Sequence, residues 1–133
     1  MPGAREMSLK SKAAMENRDR EGWLSLFAPD GVVEDPVGPS MFDPDGKGHH
    51  GYEGIGAFYD MVTALYEKMN LEIRESYECA NEVANVGTIT LTLADGTIGR
   101  VNGVFHYRVT DEGKIASLRA FWEPTAIEFE FAS

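Results

Sequence analysis

"VANVGTITLTLADGTIGRVNGVFHYRV", residues 83–109, alternates apolar and polar residues on both sides of Asp95-Gly96. A period of two is the pattern of a strand with one buried face, and Asp-Gly between two such runs predicts a two-residue hairpin. Downstream, "TDEGK" (110–114) supplies a second turn and leads into "IASLRAFWEP". The tail "AIEFEFAS" alternates Ile127, Phe129 and Phe131 with Glu128 and Glu130. Upstream, "LEIRESYECANEV" alternates Leu71 and Ile73, then Tyr77 and Cys79, with Arg74-Glu75-Ser76 interrupting the phase. Gly103, within the second long strand, predicts a bend or bulge that curves the sheet. The second half of the chain therefore reads as an antiparallel meander.

The first half has a different period. From Ser8 to Ala28 the apolar positions predict helix, broken into two pieces around 18–22, and Ala28-Pro29-Asp30-Gly31 predicts a turn. Val32 to Asp35 reads as a short strand stopped by Pro36 and Gly38. Residues 36–51, "PVGPSMFDPDGKGHHG", hold three prolines and four glycines and predict a long loop. Ile55, Phe58, Tyr59, Val62, Leu65, Tyr66 and Met69 recur at three- and four-residue spacing, which predicts a helix over 52–68. Helices followed by a meander give an α+β domain, a curved sheet folded over helices around a cone-shaped apolar pocket. No repeat or linker divides the chain, so residues 1–133 read as one domain.

The composition narrows the function. The 133 residues carry 22 acidic against 12 basic side chains, a formal net charge of −10. Such a surface repels nucleic-acid phosphates and anionic membranes, and no Lys/Arg stripe offsets it. Cys79 is alone, which excludes an intrachain disulfide and suggests a reducing compartment. The first residues lack the apolar run of a signal peptide, and no stretch approaches the roughly 20 apolar residues of a membrane span. The expected location is the cytoplasm.

Asp35 is the leading candidate for chemistry. It ends a strand at the rim of the expected cavity, with Pro36 restricting the backbone beyond it. A carboxylate among Val32, Val33, Val37, Phe58 and Trp122 would be partly desolvated, which raises its pKa and suits it to act as a base. Strand alternation places Glu34 on the opposite face, so at most one of the two acids points inward. The alternative for Asp35 is a solvated Asp-Pro turn.

Three segments in order, "DREGWLSLFAPDGVVEDPVG" (19–38), "GYEGIGAFYDM" (51–61) and "GVFHYRVTDEGKIASLRAFWEP" (103–124), resemble the steroid Δ5-3-ketoisomerase family of the NTF2-like (SnoaL-like) fold. The similarity runs from about residue 9 to 125 and is nearest to actinobacterial isomerase-like proteins. It implies that Asp35 is a general base moving a proton between two carbons by way of a dienolate. In that family the dienolate oxygen is held by a Tyr and a protonated Asp. Counted without gaps from Asp35 and from Trp122, those two positions fall on Ser11 and Phe105. Tyr59, which matches a supporting Tyr of the family, Tyr107 and Trp122 remain as candidate donors; Phe105, Phe58, Val37 and Met61 join Trp122 as expected substrate contacts.

The remaining motifs read as structural. His49-His50 reads as solvated loop, Asp43-Pro-Asp-Gly lacks the later ligands of a calcium loop, and Cys79 reads as a buried thiol. No metal and no cofactor is expected. The reading is a steroid Δ-isomerase acting on a steroid or similar polycyclic ketone. The alternatives are a non-catalytic binder of such ligands, or another enzyme of this fold, such as a polyketide cyclase or an epoxide hydrolase built on Asp-Arg-Asp with Arg100 or Arg119. A homodimer is implied by the resemblance, and the apolar face of the tail is consistent with it.

Overall fold

The computed structural model describes residues 2–132. Helices α1 (Ala4–Glu16), α2 (Arg20–Ser25) and α3 (Gly51–Thr63) pack on one side of a sheet formed by β1 (Phe27–Glu34), β2 (His49–His50), β3 (Lys68–Cys79), β4 (Glu82–Thr92), β5 (Ile98–Val109) and β6 (Ile115–Phe121). The order across the sheet is β2-β1-β6-β5-β4-β3, and a short tail strand β7 (Glu128–Glu130) pairs with β5. All pairings are antiparallel except β1 with β6. This is the α+β meander that the alternation predicts. No described helix is long and apolar enough to cross a membrane.

Helix breaks have local causes. Arg18, at φ 55°, lies between α1 and α2, and the Asp19 side chain then accepts from the Gly22 N–H to cap α2. The same Arg18 guanidinium donates to the carbonyl of Thr63, the last residue of α3, where a cation meets the negative pole of the helix, and to that of Tyr66 beyond it. Helix α3 stops at Thr63, short of the expected Lys68, so Leu65 and Tyr66 lie in a turn and Met69 in β3. Phe27 to Gly31, expected as helix end and turn, belongs to β1, whose register against β6 shifts between Phe27 and Val32.

The β4–β5 and β5–β6 hairpins have three-residue loops, whereas Ala80-Asn81 alone joins β3 to β4. Leu93 N–H donates to the Thr97 carbonyl at 2.9 Å around Ala94-Asp95-Gly96, one residue longer than Asp-Gly alone suggests. The Arg74 interruption is a bulge in β3, opposite an unbroken β4. No bulge forms at Gly103, since β4 and β5 pair in register throughout. Instead a Cβ there would lie 2.6 Å from the Phe121 carbonyl oxygen, so that glycine permits close approach of two strands. At Gly87, facing the β3 bulge, a Cβ would sit 2.1 Å from the Glu72 carbonyl oxygen. Gly87→Ala is expected to cost about 1–3 kcal/mol in urea unfolding, the range for overpacking. An unchanged midpoint would show that the strands can part there.

The core joins the helices to the concave face of the sheet: Trp23, Phe27, Ile55, Phe58, Phe105 and Ile115 are all buried. Trp23 meets Phe27 edge-on at 4.9 Å, a favoured arrangement of two aromatic quadrupoles. Farther out, Asn85 donates to Ser8 Oγ at 3.0 Å and accepts from Ser76 Oγ, tying α1 to β4 and β3.

Candidate active site

The core does not fill the cone. A cavity of about 330 Å³ remains between the concave sheet and the helices, near the lower end of the roughly 300–1,000 Å³ usual for small-molecule sites. Its walls are nearly all apolar: Phe58 and Val62 from α3, Leu71, Ile89 and Val101 from the sheet, and Met41 and Phe42 from the long loop. A flat hydrocarbon ligand would lose little hydration that the site could not repay by burial.

Asp35 stands in this wall, one residue past the end of β1. Its neighbour Glu34 takes the opposite face and accepts from Arg119 Nε at 3.0 Å, as alternation requires. Asp35 Oδ1 accepts from the Trp122 indole N–H at 2.6 Å. The other charged residue of the wall, Lys12, is paired with Glu16 at 3.0 Å, and no cation among the described residues stabilises the Asp35 carboxylate. Burial drives the Asp35 pKa up to about 6, and the Trp122 hydrogen bond holds it from rising further. A carboxyl group poised near neutral pH in an apolar site is suited to take and return a proton on carbon.

The other expected site residues divide. Phe58, Phe105, Trp122 and Tyr107 line the cavity with Asp35. Tyr59 does not: it is buried behind Trp23, with ring centroids 5.6 Å apart, and burial pushes its phenol pKa up. Val37 also lies outside the cavity, its N–H bound to the Ala120 carbonyl at 2.9 Å on the outer side of the sheet end. Met61 is 40% exposed on the solvent side of α3, because it falls between the buried positions of the apolar stripe.

Tyr66 and Ser11 are cavity residues that the sequence does not single out as contacts. Tyr66 reads as core because its spacing fits the α3 stripe; its hydroxyl donates to Met69 Sδ at 3.6 Å, and burial lifts its pKa to about 12. His49 is half-buried in β2 and not a fully solvated loop residue: its ring packs 4.9 Å from Phe58, and its buried Nε2 lacks a hydrogen-bond partner among the described residues. Cys79, expected buried, is exposed at the end of β3. Arg119 and Arg100 pair with Glu34 and Glu130 and take no part in the cavity wall, so the arrangement of an epoxide hydrolase is not assembled around Asp35.

Residues 11–118 match the SnoaL-like domain family. Rv0760c from Mycobacterium tuberculosis superposes with a TM-score of 0.90 at 34% identity, over 98% of this chain and 99% of that one. That protein has also been crystallised with estradiol-17β-hemisuccinate. The Δ5-3-ketosteroid isomerase of a Mycobacterium species is similar at a TM-score of 0.84 and 35% identity, over 93% of this chain and 95% of that one. A computationally designed 17-OHP binder matches at 0.88 and 32%, over 97% and 98% of the two chains.

Proposed function

Because the chain belongs to the SnoaL-like domain family, with the NTF2-like fold, we propose that its cavity is an active site in which Asp35 shifts a double bond of a steroid or similar flat polycyclic ketone. The observation that carries this reading is the Asp35 carboxyl, the one charged group of the apolar wall without an ionic partner, held by Trp122 with its pKa near 6. Similarity to a ketosteroid isomerase and to two proteins associated with steroids supports the choice of ligand.

In the proposed reaction, ionised Asp35 removes a proton from the carbon between the carbonyl and the double bond. The electron pair of that C–H bond spreads into a dienolate. Asp35, now protonated, returns the proton two carbons farther along and regains its charge, leaving a conjugated enone. Only a proton is exchanged, so the step calls for no metal or organic cofactor. The apolar wall keeps water from competing for that proton. A homodimer is part of the same reading, supported by Phe129 and Phe131, which stack at 5.8 Å and are exposed on the tail.

The test is conversion of 5-androstene-3,17-dione to the conjugated 4-ene ketone, followed by ultraviolet absorbance. Because the base acts only when ionised, kcat/KM is expected to rise with pH through a limb near 6. Trp122→Phe removes the hydrogen bond that lowers the Asp35 pKa, so the limb moves to higher pH. A limb that stays in place would mean that another group titrates. Saturable steroid binding without turnover would favour the binder reading, which the Ser and Phe at positions 11 and 105 support.

A further inference from the structure

Proton transfer by Asp35 leaves the ligand's oxygen without a partner, and three polar side chains meet elsewhere in the cavity region. Trp23 of α2 donates its indole N–H to Ser11 Oγ of α1 at 2.9 Å, and Ser11 Oγ lies 2.8 Å from the hydroxyl of Tyr107 on β5. Ser11 is 1% exposed and Tyr107 7%, and both border the cavity. An indole nitrogen only donates, so Ser11 must accept from it. Two protons belong to the two hydroxyls. One bridges them, and the other has no acceptor among the described residues. A buried donor without an acceptor is unfavourable unless a bound molecule takes it.

We propose that Trp23, Ser11 and Tyr107 form a relay ending in one unspent O–H, which Tyr107 donates to the carbonyl oxygen of the bound ketone. Ser11 and Trp23 act through Tyr107 and are positioning residues. The inference rests on the isomerase reading for the identity of the ligand. Run from Trp23 N–H to Ser11 O–H to Tyr107 O–H, each hydroxyl accepts on one side and donates on the other, which polarises the last bond. A phenol is a stronger acid than an alcohol, so it is the better donor to an oxygen gaining charge. Burial raises the Tyr107 pKa, as does the charge of Asp35, so the phenol keeps its proton at neutral pH. Lys12 is already paired with Glu16, which makes a neutral carbonyl, rather than a carboxylate, the group suited to this donor. The relay also accounts for a serine where the family resemblance implies a tyrosine: the hydroxyl arrives from β5 and the serine orients it.

The experiment is infrared spectroscopy of 4-androstene-3,17-dione, isotopically labelled at the C3 carbonyl, bound to the full chain. In the wild type the C3 band is expected below its position in hydrocarbon solvent. Tyr107→Phe should return it toward that position and lower turnover by about 10²–10³, the usual effect of losing one oxyanion donor. Ser11→Ala, which keeps the phenol but frees it to rotate, should move the band part of the way. Tyr66→Phe, whose hydroxyl is engaged by Met69, should leave the band where it is. The proposal is overturned if the band ignores both Tyr107→Phe and Ser11→Ala, or follows Tyr66→Phe instead. A shifted band without turnover in the wild type would leave the relay standing and remove the isomerase reading. Failure of the wild type to bind the enone would remove both.

Discussion

Asp35→Asn is expected to lower turnover of 5-androstene-3,17-dione by about 10²–10⁴, the usual contribution of a general base. The substitution changes one oxygen to an amide nitrogen, and the remaining Oδ1 still accepts from Trp122, whose bond at 2.6 Å orients the side chain. Steroid binding should therefore survive, since the apolar wall is untouched. Turnover lost with binding retained is the signature of a group that acts on the proton. Turnover equal to the wild type would end the assignment of Asp35. Binding lost together with turnover would instead make the carboxylate a structural element of the wall.

The same variant is expected to gain stability at neutral pH. Asp35 has a folded-state pKa of about 6 against an ordinary 3.8. Between those values the folded chain holds a proton that the unfolded chain has released. Folding stability therefore falls as pH rises through that window, the reverse of a salt-bridged acid. Two pKa units correspond to up to roughly 3 kcal/mol once the group is ionised in both states. Asparagine does not titrate and escapes this cost. Urea unfolding should show Asp35→Asn more stable than the wild type by about half of that difference at pH 5 and by nearly all of it at pH 8. A gap independent of pH over this range would mean that the carboxylate is well solvated in the folded chain. Loss of activity with gain of stability would mark Asp35 as a group retained for function at the expense of the fold.

Much of this architecture is legible in the residues themselves. Alternation in 83–109, on both sides of Asp95-Gly96, specifies paired strands, because one face must be apolar to meet the helices. The phase break at Arg74 appears as the bulge in β3. Boundaries are less legible. Phe27 joins a strand, not a helix, because its partner Ile115 is some ninety residues away and no local pattern records that pairing. Leu65 and Tyr66 satisfy the α3 spacing yet lie beyond the helix, which ends at Thr63, where Arg18 takes up the carbonyl. The exposure of Cys79 and the partial burial of His49 depend in the same way on what packs against them.

The candidate site shows the same division. The acid beside a proline reads equally as a solvated turn, and it is the family resemblance that singles out Asp35 in the sequence; alternation sends Glu34 outward to Arg119. Which polar groups share the cavity with Asp35 is decided only by the tertiary structure. Tyr59 and Tyr66 share one apolar spacing in the sequence, yet one is shielded by Trp23 within α3 and the other lies past its end and borders the cavity. Ser11 and Tyr107 are 96 positions apart and become a hydrogen-bonded pair because α1 crosses the concave face of β5. Periodicity is local: it specifies which side of an element is buried. The geometry of a site is set by how separate elements close over one another, and that depends on packing the whole chain at once.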